Sequence, residues 1–228
     1  MPIAVVTGAN SGIGHAIAEL LIGEGYEVHA ADHVVGEKLQ ALQCRLHRLD
    51  VRSQESIAGF KAQMAGKSID VLLNVAGVMS AKETDTLTTV NKEILTKTFE
   101  TNTFGPLLLT QGLLENLLAA ENAKVGIVSS RVGSIGDNST GGSYAYRASK
   151  AAVNSVGKSM ACDLQEQGVV VTLLHPGIVR SGMNPDVAEF PEAVEPDVAA
   201  AQLWEVFKSK GIAETGRFWH REGYELPW

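Results

Sequence analysis

The stretch "IAVVTGANSGIGHAIAELLIGEG", residues 3 to 25, decides the fold. Its opening, "IAVVTG", is apolar along its length and reads as a buried strand. From Gly14 the apolar residues recur at helical spacing, and the pattern stops at Gly25. Between the two lie Thr7, Gly8, Asn10, Ser11, Gly12, Ile13 and Gly14, with glycines spaced G-x-x-x-G-x-G. A strand that turns on glycines into a helix presents the helix's first amides and the positive end of its dipole, which suits a pyrophosphate. Glycine lets backbone approach a ligand without a Cβ between them. A plain glycine-rich turn has the same composition, so the rest of the chain must decide.

Moving outward, "YEVHAAD", "CRLHRLDV", "IDVLLNVAG", "KVGIVSS", "GVVVTLLHPG" and "GRFWH" read as further strands. Helical patterns alternate with them: residues 53 to 66 with Ser53 as N-cap, a long region from Lys92 to Ala120, a helix ending near Gln167, and one at Val198 to Lys208. Apolar strands separated by helices predict a parallel sheet covered on both faces, a single-domain, doubly wound α/β fold of Rossmann type over residues 1–228. Ligands of such folds bind at the carboxyl ends of the strands.

The polar signals fall at those ends. Asp32 closes the second strand, 18 positions after Gly14, where a carboxylate is expected to take ribose hydroxyls. It would repel a 2′-phosphate, and no Arg or Lys lies in the glycine turn, so NAD(H) is favoured over NADP(H). A helix-capping or turn role is the alternative for Asp32. Asp50 ends the third strand, where it either meets an adenine or simply ends a turn.

At the other end, "SYAYRASKAAVNS", residues 143 to 155, sets Tyr146 and Lys150 one helical turn apart. A free tyrosine titrates near ~10. An ammonium within a few Å favours the phenolate, which predicts a usable general acid and base. A surface pair that merely packs is the competing reading. Ser130 stands at the end of the strand just upstream, as a second donor for a substrate oxygen. Pro176 and Gly177 turn the chain after the next strand.

In order along the chain, "TGANSGIG", Asp32, "LDV", "NVAG", "ETNTFG", "IVSS", "YRASK" and "HPG" resemble the short-chain dehydrogenase/reductase family. Within it, residues 129 to 154 and the ending "GYELPW" look most like the carbonyl-reductase and C-factor-like subgroup. The resemblance implies an oxidoreductase that passes a hydride between a nicotinamide cofactor and a carbonyl or alcohol, with Ser130, Tyr146, Lys150 and Asn102 as the catalytic set. It implies that Asp50 and Val51 border the adenine, that Asn74, Ala76 and Gly77 border the ribose, and that Pro176, Gly177 and Ile178 face the carboxamide. A dehydratase, isomerase or epimerase, or an NAD(P)-binding regulator without turnover, remains a distinct reading of the same pattern.

The chain departs from the family in places. Val75 replaces the second Asn of "NNAG", and Ser130 lies 16 residues before Tyr146, a long gap that leaves Ser134 as a rival serine. Residues 182 to 196 are expected to form a short substrate lid. Met79, Ser80, Arg131, Ser134, Tyr144, Met183 and Phe190 are expected around the substrate.

The net charge of −7 argues against nucleic acid as partner. Two cysteines, Cys44 and Cys162, indicate neither a disulfide framework nor a metal site. Met1 and Pro2 lead straight into the first strand, and no apolar run reaches bilayer length, so a cytoplasmic protein without membrane contact is expected. A homodimer or homotetramer is the expected assembly, by resemblance.

Overall fold

In the computed structural model, which describes residues 1–183, 186–187 and 190–228, seven parallel strands form one sheet. They are β1 (Ile3–Thr7), β2 (Glu27–Asp32), β3 (Arg45–Arg48), β4 (Val71–Asn74), β5 (Lys124–Val128), β6 (Val170–His175) and β7 (Phe218–His220). Their order is β3-β2-β1-β4-β5-β6-β7, so the winding reverses between β1 and β4. That reversal opens a crevice at the carboxyl ends of the strands.

Successive side chains of a strand face opposite sides, and β1 shows how this divides the core. Val5 packs with Leu72, Val125 and Val171 beneath α3 (Gln54–Gln63), α5 (Gly105–Gly112), α6 (Leu114–Leu118) and α7 (Tyr144–Leu164). Ala4 and Val6 pack on the other side with Leu73 and Leu174, beneath α1 (Gly12–Gly23) and α8 (Pro196–Ser209). Each fully buried aliphatic or aromatic side chain contributes roughly 1.5–3 kcal/mol. Two helical layers on one parallel sheet make the doubly wound fold that the apolar strands predict.

Two elements differ from the sequence pattern. A short helix, α2 (Glu37–Ala41), follows β2. The expected long helix from Lys92 to Ala120 is broken into α4 (Lys92–Phe99), a π-helical turn at Glu100–Phe104, α5 and α6. The π turn buries Thr101, Asn102 and Thr103, and single-turn π segments of this kind recur at functional sites. The expected lid falls partly outside the described residues, at positions 184, 185, 188 and 189.

Thr7 ties β1 to the end of β4. It is 2% exposed, and its hydroxyl accepts from the Val75 and Ala76 amides at 3.0 and 3.1 Å. Replacing Thr7 with valine keeps the shape and orphans both donors. The expected loss is about 2 kcal/mol in urea unfolding; a loss below about 0.5 kcal/mol would mean that those amides find other partners.

Candidate active site

The carboxyl ends of β1, β2 and β4 enclose a groove of about 540 Å³. Gly8, Asn10, Ser11, Asp32, Asp50, Val51, Ala76 and Gly77, all expected at the cofactor, line it. Gly12, Ile13 and Gly14 form the first turn of α1. Ser11 stands at the N-cap without a side-chain cap hydrogen bond, and the first turn carries no acidic residue. These amides and the α1 dipole therefore suit a dianionic pyrophosphate, so the donor set fits a dinucleotide.

Asp32 is 8% exposed and braces the glycine turn. One carboxylate oxygen accepts from the Asn10 amide at 3.0 Å; the other accepts from Val34 at 3.2 Å and lies 2.8 Å from His33 Nδ1. Asp50 is held by Arg52, whose Nε and Nη2 donate at 2.9 and 2.7 Å, and this pairing keeps the carboxyl below its usual range. Arg52, which also lines the groove, is unmarked in the sequence. Asn74 is buried, and its amide donates to Thr110 Oγ1 at 3.4 Å, bracing the sheet.

At the reaction end, β5 and the first two turns of α7 bring Ser130, Tyr146 and Lys150 together. Ser130 stands near enough to the Tyr146 phenol to oppose the rise that burial causes there. Lys150 Nζ donates to the Val128 carbonyl at 2.8 Å and sits 5.7 Å from the centre of the Tyr146 ring. Asn102 joins them from the π turn: a Cβ added at Gly77 would stand 3.3 Å from Asn102 Oδ1 and 3.6 Å from Lys150 Nζ. Ser134, the rival serine, is 1% exposed, and its hydroxyl accepts from the Asp137 amide at 3.2 Å, closing a turn. Pro176 precedes Gly177 and Ile178, which line a second cavity of about 470 Å³ with Arg131, His175, His220 and Tyr224. Among the other residues expected around the substrate, Met183 lines the nucleotide groove, while Tyr144 and Phe190 are exposed.

The expected electrostatics need correction. An ammonium was expected to pull the phenol below its ordinary value. Burial instead raises the Tyr146 phenol, and Ser130 only opposes that rise. Lys150 is 4% exposed, and burial lowers it to about 8. The physical reason is that both groups share one desolvated pocket, where each is pushed toward its neutral form.

This gives a pH prediction. Lys150 stays near 10.5 when exposed and near 8 when folded, so the unfolded chain binds more protons between those values. Stability from this group therefore rises with pH across that window, and its cost is fully present below pH 8. Wild type should gain on the order of 2 kcal/mol relative to Lys150→Met between neutral pH and the top of the window. Urea midpoints of the pair, compared at both ends, check this; a constant gap would contradict it.

Two structural partners carry no signal in the sequence. Asp85 accepts from the amides of Ala145 and Tyr146, and Arg221 Nη1 donates to Pro176 O at 2.7 Å. Both act across long chain separations, so no local pattern marks them.

A parallel sheet with a glycine turn at its switch point, and a Ser, Tyr and Lys cluster beside it, defines a dinucleotide-dependent enzyme class. The short chain dehydrogenase family model matches residues 2–192. Over an alignment of 231 positions that covers 100% of both chains, this chain is 39% identical to 1-hydroxy-2-glutathionyl-2-methyl-3-butene dehydrogenase of Rhodococcus sp. (strain AD45). It is 37% identical over 169 residues to C-signal of Myxococcus xanthus, covering 74% of this chain and 98% of the other. NADPH-bound carbonyl reductase from chicken fatty liver superposes with a TM-score of 0.88 at 27% identity, over all of both chains. The chain belongs to the short-chain dehydrogenase/reductase family and has carbonyl-reductase-like relatives. Its dehydrogenase and reductase relatives place it among the nicotinamide-dependent oxidoreductases, which act on small molecules. No helix among the described residues is long and apolar enough to cross a membrane.

Proposed function

We propose that this chain interconverts a carbonyl and an alcohol, with Tyr146 as the proton-transferring group. The observation that carries the reading is the buried Lys150 ammonium, held on the Val128 carbonyl 5.7 Å from the centre of the Tyr146 ring, with Ser130 beside the same phenol. Two neighbouring hydroxyls are placed to hold one substrate oxygen. A bound nicotinamide supplies or accepts the hydride. The Tyr146 phenol, raised by burial, keeps its proton at neutral pH and gives it to the oxygen as charge develops there. Ser130 donates the second hydrogen bond to that oxygen. Lys150 then compensates the phenolate that Tyr146 leaves behind. Asn102, near the same ammonium, is the group we assign to proton return toward Lys150.

NAD(H) is the cofactor we propose, because Asp32 lines the groove and Arg52, a cation that lines it together with Lys97, is engaged bidentately by Asp50. The NADPH-bound relative supports NADP(H) as the alternative. The substrate class remains a choice among carbonyls, and the glutathionyl alcohol in one relative's name supports testing conjugated substrates. The partly exposed Leu95, Phe104 and Leu107 of α4, the π turn and α5 favour a homodimer or homotetramer. The free thiols of Cys44 and Cys162 are compatible with the cytoplasm.

The test is a fluorescence titration with NADH and NADPH, followed by turnover on a carbonyl panel. Tighter NADH binding with cofactor oxidation supports the reading. Tighter NADPH binding overturns the cofactor assignment, and binding without turnover on any carbonyl overturns the reductase. The similarity to C-signal keeps a signalling role as the second reading. A Tyr146→Phe protein that retained its biological effect would favour it.

A further inference from the structure

Ser143 occupies the N-cap of α7, where serine usually caps with its own hydroxyl. Here it does not. Its φ of 47° and ψ of 50° are left-handed, and its side chain makes no cap hydrogen bond. The cap comes instead from the segment between β4 and α4. Asp85, 1% exposed, accepts from the Ala145 amide at 2.8 Å through Oδ1 and from the Tyr146 amide at 3.2 Å through Oδ2. A carboxylate there pairs with amides that have no partner within the helix, and it meets the positive end of the dipole. Such charge-assisted bonds are stronger than neutral ones.

The other side of the same residue is also held. The Tyr146 carbonyl accepts from the Ser149 hydroxyl at 2.8 Å, and Ser149 Oγ accepts from the Asn102 amide at 3.0 Å. Asn102 in turn brackets the Val78 backbone, accepting from its N–H at 2.8 Å and donating to its carbonyl at 2.9 Å. The backbone of Tyr146 is therefore gripped at its N–H by Asp85 and at its C=O by Ser149. Both grips run back to the 78–85 segment or to the π turn.

We propose that Asp85 is a positioning residue for the reaction. It fixes the first turn of α7, and through it the reach of the Tyr146 phenol toward Ser130 and the substrate oxygen. The proposal rests on Tyr146 acting as acid and base. Asp85 holds backbone amides of α7 and is not among the residues lining the nucleotide groove, so losing it should lower kcat and leave cofactor affinity in place.

The experiment uses Asp85→Ala, Asp85→Asn and Tyr146→Phe, each assayed for kcat, for NADH or NADPH affinity by fluorescence, and for amide exchange at residues 145 and 146. Asp85→Ala should lose about 100-fold in kcat, the scale of a 1 Å misplacement. Asp85→Asn keeps one acceptor oxygen and should fall between it and wild type. Cofactor affinity should stay near wild type in both, while exchange of the two amides quickens. If both Asp85 variants keep wild-type kcat while Tyr146→Phe is inactive, Asp85 has no positioning role and the acid–base reading stands. If Tyr146→Phe is as active as wild type, the acid–base reading falls and the proposal falls with it. If kcat and cofactor affinity drop together in both Asp85 variants, Asp85 merely supports the fold, and the proposal is wrong.

Discussion

Replacing Tyr146 with phenylalanine is expected to lower kcat by about 10³-fold while the protein still folds and binds its cofactor. The ring, its packing in α7 and its position 5.7 Å from the Lys150 ammonium all survive the change. Only the phenol hydroxyl beside Ser130 is lost. Positioned proton transfer contributes about 10²–10⁴-fold, which sets the scale. Loss of one phenol hydroxyl costs on the order of 1 kcal/mol of stability, too little to unfold the domain. Steady-state kinetics with a cofactor titration separates the outcomes. Lost turnover with retained binding agrees with the role assigned to Tyr146. Retained turnover would leave Ser130 or a water as the proton source.

The second large effect is expected at Gly14. A Cβ there would stand 2.3 Å from the Gly8 carbonyl oxygen, 2.7 Å from its carbon and 3.0 Å from the Thr7 oxygen. All three are backbone atoms, so no side chain can rotate aside. The start of α1 must move off the end of β1, and with it the amides offered to the pyrophosphate. Overpacking of this kind costs about 1–3 kcal/mol. Expressed in the bound geometry, that lowers cofactor affinity about 10–100-fold. Gly23→Ala is the control: a Cβ at the end of α1 meets nothing within 4 Å, so affinity should not change. Isothermal titration of both variants decides the matter, and equal affinities would mean that the turn tolerates the displacement.

These two residues also mark where the sequence is legible. Gly14 and Tyr146 belong to local patterns: a strand that turns on glycines into a helix, and an i, i+4 pair on one face. Such patterns are visible because neighbours in the chain remain neighbours in space. The doubly wound fold is legible for the same reason, since apolar strands buried on both faces alternate with helices. Asn102 is different. Gly105 and Pro106 interrupt the helical spacing just after "ETNTF", but neither residue says that the turn before them is π-helical or that it buries Asn102. Asp85 and Arg221 are less visible still, since each acts on backbone distant in the chain. Even the Tyr146–Lys150 pair is legible only as a juxtaposition. Its electrostatics depend on burial, which reverses the expected direction for the phenol.

Burial also explains a division within the site. Lys150 is a lysine held near 8 beside a phenol held above its ordinary value. The folded chain bears the cost of keeping that charge out of water.

The most direct test follows the absorbance of the reduced nicotinamide during turnover of a carbonyl substrate by wild type, with Tyr146→Phe alongside. The account predicts one cofactor oxidised for each carbonyl reduced, and near silence from the variant. Substrate conversion with no net change in cofactor absorbance, or equal rates from the two proteins, would contradict it.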